Sequence, residues 1–295
     1  MERVGFIGLG IMGKPMAKNI MKSGYDLVVY NRSQTSVQEL IKEGAEAAQS
    51  PKEVAQKVDV LVTMLPDSPD VKKVLLGVDG AIEGLSKGKM VIDMSSISPI
   101  VARELDVTLQ DKGIRMMDAP VSGGESGAIE GTLAIMVGAN ESDYELYRKL
   151  LLAMGKSVHR VGDVGSGNVA KLVNQSIVAL NIAAISEAFL LGAKSGVDPR
   201  SIYEAISGGL AGSNALNAKF PMMTDNNFMA GFTLELHKKD LDNVLKNAQS
   251  LNVEMPLTSM VTEFVEDLIK SGEAKSDHSA LLKYFENLSS SKLIR

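Results

Sequence analysis

The spacing of apolar and polar positions divides this 295-residue chain into two regimes. Up to about residue 162, short apolar runs alternate with segments of helical period. The runs Val4 to Ile7, Asp26 to Tyr30, Asp59 to Leu65, Met90 to Ser96, Ile114 to Asp118, Thr132 to Val137 and Ser157 to Val161 read as strands. Between them, Met16-Ala17-Ile20-Met21, Val37 to Gly44, Val71 to Leu76, Pro99 to Leu109 and Tyr144 to Met154 read as helices, and Ser50-Pro51 opens another. Near-continuous apolar strands separated by helices predict a parallel sheet covered on both faces.

After the glycine-rich turn Gly162-Asp-Val-Gly165-Ser-Gly167 the pattern changes. Ser176 to Leu191 is almost continuously apolar or small, which predicts a long helix buried on most of its circumference. Pro199 to Ile206, Leu236 to Leu251, Thr258 to Ser271 and His278 to Leu288 then carry helical period, with no further strand. The expected fold class is α/β: an N-terminal doubly wound sheet over residues 1–162, then an all-helical domain over 163–295 joined through the long helix.

Composition removes several function classes. The chain has no cysteine, so disulfides and thiolate chemistry are excluded. Its three histidines, His159, His237 and His278, show no metal-ligand spacing, and no metal is expected. A net charge of -5 and 4% aromatic residues argue against nucleic acid as a partner. Asn181, Ser186 and Glu187 interrupt the longest apolar run and argue against a membrane span. With no targeting segment visible before the strand at Val4, the expected location is cytoplasmic.

Five stretches carry candidate chemistry. Gly8-Leu9-Gly10-Ile11-Met12-Gly13 lies between the first strand and the first helix, the context in which a glycine fingerprint holds a dinucleotide. At the end of the second strand stand Asn31 and Arg32, where a carboxylate would bond the ribose of NAD. An amide there does not repel a 2′-phosphate, and Arg32 either pairs with that phosphate or is solvated. NADPH is therefore expected over NADH. Ser122-Gly123-Gly124 is either a plain turn or a cradle of exposed N–H groups for a small carboxylate. Lys171 and Asn174 share a face near the start of the long helix; the lysine either snorkels to water or meets a polar partner. Lys238-Lys239-Asp240-Leu241 reads from spacing as a solvated helix start, or as a knot that reaches a site.

Taken in order, these blocks resemble the β-hydroxyacid dehydrogenase family over nearly the whole chain. Gly8 to Gly13 is similar to its dinucleotide motif, Asp118 to Gly124 to its substrate motif, Gly162 to Asn174 to its catalytic motif, and Lys239-Asp240-Leu241 to its C-terminal cofactor motif. The resemblance implies a Rossmann domain, a helical domain, NAD(P) and a small carboxylate-bearing aldehyde or hydroxy acid. It implies Lys171 as the catalytic lysine with Asn174 orienting it, and Ser122, Gly123, Gly124 and Asn174 on the substrate. It places Leu65, Pro66, Ser96 and Lys239 on the dinucleotide. The largely apolar long helix and the helical C-terminus separately lead to an expected homo-oligomer, dimer or tetramer. Gly208 to Ser213, Asn227 to Phe232 and Asp277 to Leu281 resemble the bacterial branch that reduces tartronate semialdehyde to glycerate. Gln175 stands where other branches carry a second Asn. The alternatives are a 3-hydroxyisobutyrate dehydrogenase or another small semialdehyde dehydrogenase of the family. From a different class, a dinucleotide-binding module without activity would have lost the lysine or the Ser-Gly-Gly cradle, and both are present.

Overall fold

The computed structural model describes residues 2–294, which divide into two compact units, Met1–Lys171 and Leu172–Arg295. Nine strands form the sheet of the first unit: β1 (Val4–Ile7), β2 (Leu27–Tyr30), β3 (Glu46–Ala47), β4 (Val60–Thr63), β5 (Met90–Asp93), β6 (Arg115–Asp118), β7 (Val121–Ser122), β8 (Leu133–Gly138) and β9 (Gly155–Gly162). Their order is β3-β2-β1-β4-β5-β6-β8-β7, with β9 also paired to β8. The intervening helices are α1 (Gly13–Lys22), α2 (Gln34–Lys42), α3 (Pro51–Lys57), α4 (Ser68–Leu76), α5 (Pro99–Gln110), α6 (Gly124–Glu130) and α7 (Glu141–Leu152).

The strands read as continuous apolar runs because both sheet faces are covered. Successive side chains point to opposite faces. Accordingly Val60 and Val62 enter one core with Phe6, Met90, Ile92 and Met117, while Leu61 enters the other with Ile7, Val91 and Met116. Proline at the first turn and an N-cap oxygen start α3, where Ser50 accepts from Glu53 N–H, and α4, where Asp67 accepts from Ser68 N–H.

The sheet is parallel from β3 to β6 but not throughout. β8 runs antiparallel to β6 and β7, and β9 then pairs parallel to β8. The sheet is thus parallel-dominated, and its reversal at β8 has a physical reason. A parallel return needs a crossover of about a dozen residues or more. Only the short α6 lies between β7 and β8, so the chain turns back on itself.

The second unit is built from helices: α8 (Ser166–Lys194), which enters it from the first unit, α9 (Pro199–Ile206), α10 (Asn214–Thr224), α11 (Leu234–Ser250), α12 (Pro256–Leu268) and α13 (Leu281–Leu288). Ala179, Ile182, Ile185, Phe189 and Leu190 of α8 lie in one core with Leu216, Phe220, Leu241, Val265 and Phe285. By length and composition α8 is the one helix among the described residues apolar enough to cross a membrane. α10 carries Pro221 inside it and begins at a Ser213 cap, which the sequence pattern had not announced.

Candidate active site

Strand register aligns the carboxyl ends of five strands in the first unit. Tyr30 pairs with Ile7, Ile7 with Thr63, Thr63 with Asp93 and Asp93 with Asp118. Ligands of open α/β sheets bind along such an edge. The chain beyond each strand end is Asn31, Gly8, Leu65-Pro66, Ser95-Ser96 and Ser122, so one rim gathers most of the residues singled out from sequence.

The glycine loop is shaped for close approach. A Cβ at Gly13 would lie 1.8 Å from Gly8 O, whereas one at Gly10 would meet nothing within 4 Å. α1 thus packs tightly on the strand, and the open space over Gly10 suits a pyrophosphate. Asn31 is tied to this loop: its Oδ1 accepts from Leu9 N–H at 3.0 Å, and its Nδ2 donates to Ser33 O at 3.0 Å. The Arg32 side chain is 78% exposed and stands 3.9 Å from Asp70, so the solvated reading describes its present setting.

Beyond β4 and β5, sequence reasoning singled out Leu65, Pro66 and Ser96 but passed over the neighbours that hold them. Ser95 Oγ accepts from Leu65 N–H at 2.9 Å and donates to Asp93 Oδ1 at 2.6 Å; Thr63 donates to the same oxygen at 2.8 Å. Burial pushes the Asp93 carboxyl up to about 6, and its Oδ2 has no partner.

Asp118 organises the glycine turn ahead of α8. Its Oδ1 accepts from Gly165 N–H and its Oδ2 from Asn168 N–H, both at 2.6 Å, and Asn168 Nδ2 adds a bond at 3.1 Å. Asn168 Oδ1 accepts from Ile97 N–H at 3.0 Å, so one amide ties the turn to the loop after β5. Burial also pushes the Asp118 carboxyl up to about 6, against the opposing pull of those N–H groups.

The first turns of α8 carry Lys171, which does not snorkel. It is 7% exposed, and its Nζ donates to Val121 O at 2.8 Å. That carbonyl belongs to the residue before Ser122. Ser122 itself is a strand residue of β7, and Gly123 and Gly124 follow it with φ of 142° and 64°, backbone that favours glycine. The stretch is therefore a strand end running into α6 rather than a free turn. Asn19 of α1, another residue without a sequence signal, donates to Ala128 O at 2.8 Å and fastens α6 to α1.

In the second unit the remaining candidates form a connected polar chain whose middle members, Gln175 and Asp240, are buried. Lys239 lies in the second turn of α11, 20% exposed, with its Nζ 2.9 Å from Asp240 Oδ1. The reading of a solvated helix start is corrected accordingly, because the helix begins earlier, at Leu234. Asp240 Oδ2 accepts from Gln175 Nε2 at 2.6 Å, and Gln175 Oε1 accepts from Asn174 Nδ2 at 2.9 Å. His237 and His278, both buried, face each other with their Nδ1 atoms 3.0 Å apart. Among the described residues no group of three or more His, Asp and Glu side chains is placed to hold a metal.

Residues 3–162 match the NAD binding domain of 6-phosphogluconate dehydrogenase, and residues 165–285 match the NAD-binding domain of NADP-dependent 3-hydroxyisobutyrate dehydrogenase. The 2-hydroxy-3-oxopropionate reductase of Escherichia coli (strain K12) is 40% identical over 291 residues, 99% of each chain. The chain belongs to the β-hydroxyacid dehydrogenase family. The 2-(hydroxymethyl)glutarate dehydrogenase of Eubacterium barkeri is 37% identical, covering 97% of this chain and 95% of the relative. A solved structure of Mycobacterium tuberculosis 3-hydroxyisobutyrate dehydrogenase with L-serine superposes with a TM-score of 0.88 at 30% identity, over 96% of this chain and 98% of that one. These β-hydroxyacid dehydrogenase relatives are NAD(P)-dependent enzymes acting on CH–OH groups.

Proposed function

We propose that this protein reduces tartronate semialdehyde to glycerate with NADPH, and that Lys171 is the general acid. The observation that carries the reading is the Lys171 ammonium held 2.8 Å from Val121 O, against the residue that precedes Ser122-Gly123-Gly124. A buried cation is thereby fixed beside a backbone opened by two glycines. The cradle takes the substrate carboxylate through the Ser122 hydroxyl and the exposed N–H groups. When bound, the dinucleotide supplies the hydride.

Lys171 then acts on the developing alkoxide. It stabilises the negative charge and donates a proton from Nζ to the former aldehyde oxygen. Asn174, three residues on along α8, orients the substrate. On the dinucleotide side the reading assigns the Gly8–Gly13 loop to the pyrophosphate, Leu65, Pro66, Ser96 and Lys239 to further contacts, and Asn31 with Arg32 to the 2′-phosphate. Similarity to the Escherichia coli reductase supports the choice of substrate. Similarity to 3-hydroxyisobutyrate dehydrogenases keeps a 2-methyl semialdehyde as the second reading.

Purified enzyme assayed with both semialdehydes and both reduced cofactors tests this. Tartronate semialdehyde with NADPH is expected to give the highest kcat/KM. Lys171→Ala is expected to lower kcat by about a thousandfold or more, with NADPH binding retained. Residual activity within about tenfold of the parent would remove Lys171 from the proton transfer.

A further inference from the structure

The polar chain Lys239–Asp240–Gln175–Asn174, buried at its two middle members, has a direction that its end groups do not show individually. A carboxylate only accepts hydrogen bonds, whereas an amide has one accepting and one donating end. Asp240 is 2% exposed, and its two oxygens are taken by Lys239 Nζ at 2.9 Å and Gln175 Nε2 at 2.6 Å. Gln175 must therefore turn its nitrogen to Asp240 and its oxygen to Asn174. Asn174 must in turn offer Nδ2 to Gln175, at 2.9 Å, which leaves its Oδ1 as the atom to present. The Lys239 ammonium beside Asp240 supplies the countercharge that a buried carboxylate requires.

We infer that Asp240 and Gln175 are positioning residues that lock the Asn174 amide oxygen outward, and that this oxygen selects substrates carrying a hydrogen-bond donor on C2. The inference rests on the proposal that Asn174 faces the substrate. It turns Gln175 from a variation on the family's pattern into a specificity device. A second Asn at position 175 has a shorter side chain and would not bridge the same span to Asp240. Substrates of the form HOCH2–CH(X)–COO− then divide by X. Hydroxyl and ammonium donate to Asn174 Oδ1. Methyl cannot, and it leaves that acceptor unpaired against an apolar group.

The three acids glycerate, serine and 3-hydroxyisobutyrate share the carboxylate and the reacting CH2OH, and differ only at X. Each is oxidised with NADP+ by the parent, by Asp240→Asn and by Gln175→Leu, with kcat and KM measured separately. The parent is expected to favour glycerate over 3-hydroxyisobutyrate by at least about tenfold in kcat/KM, the size of one hydrogen bond. In Asp240→Asn the side chain at 240 can donate as well as accept, so both amides are free to reverse. In Gln175→Leu the link is cut. Both variants are expected to bring the ratio of the two acids to within about threefold, whatever the absolute loss.

A ratio maintained in the variants while all rates fall together would mean the chain only supports the fold, and would overturn the inference. A parent that oxidises all three alike would also overturn it and leave the proposed reductase reading standing. A parent that oxidises none of them removes that reading and this inference with it. Because the parent's ratio is decisive alone, a variant that fails to fold does not rescue the idea.

Discussion

Replacing Asp118 with Ala should loosen the head of α8 more than it relaxes the core. Two terms oppose each other. The parent holds three donors on one carboxylate, Gly165 N–H, Asn168 N–H and Asn168 Nδ2. Each buried donor left without a partner costs about 1–3 kcal/mol. Against this, burial raises the Asp118 carboxyl from 3.8 to about 6, which at pH 8 represents roughly 3 kcal/mol of unfavourable ionisation that the variant escapes. Three donors at that cost sum to about 3–9 kcal/mol, so the balance is a net loss of up to about 6 kcal/mol, and a value near its middle, about 3 kcal/mol, is expected. Relaxation is restricted because the backbone is crowded: a Cβ at Gly167 would already lie 2.4 Å from Met136 O. Hydrogen exchange at pH 8 reads the effect directly, since Gly165 and Asn168 amides should lose protection before the remainder of α8. The melting temperature should fall by about 5–15 °C. Unchanged protection at those two amides would refute the reasoning, whatever the melting temperature does.

Two further outcomes follow from the same rim. Asp93 and Asp118 both have carboxyls raised by burial to about 6 in the folded chain, above the 3.8 of an unfolded one, so the folded state binds protons more tightly between those values. Their contribution to stability is present below about pH 4 and is lost as pH rises through about 6; Asp93→Asn should therefore stabilise the protein by about 1–3 kcal/mol at pH 8 and much less at pH 4, and a difference that does not vary with pH in thermal melts would contradict this. Asn31→Asp keeps an acceptor for Leu9 N–H but brings a negative charge to the end of β2, and Arg32→Ala removes an exposed cation there. The first should shift the NADPH to NADH ratio of kcat/KM toward NADH by about tenfold or more and the second should weaken NADPH selectively; ratios unchanged in both variants would show that this strand end does not read the 2′ position.

Much of the first unit was legible because its signals are local. Alternate residues of Val60–Thr63 and Met90–Asp93 are buried on opposite faces, so the strands had to be apolar throughout, and Gly8, Gly10 and Gly13 lie in a fixed strand-to-helix context. What was not legible depends on partners far away in sequence. Lys171 could be seen to need a polar partner, but that partner is a backbone carbonyl fifty residues back, and a carbonyl has no sequence signature. Ser95 was passed over for Ser96 because two adjacent hydroxyls at a strand end look alike until one is seen to bridge Asp93 and Leu65 N–H. The strand character of Ser122 was not legible for a related reason: β7 is only two residues long and exists through pairing with β8, and pairing is not local information.

The same contrast explains why two buried carboxylates within the expected motifs matter. Asp118 and Asp240 each gather groups that the sequence presents separately: the glycine turn and Asn168 in the first unit, Lys239 and Gln175 in the second. A buried carboxylate accepts but never donates while ionised, so every group around it must turn a donor inward. That constraint fixes orientation as well as position. It sets the backbone N–H groups ahead of Lys171 and the amide of Asn174, neither of which is held by packing alone. Apolar replacements of similar volume could match the stability of these two clusters. They could not reproduce the orientation, and the chemistry proposed for Lys171 and Asn174 depends on it.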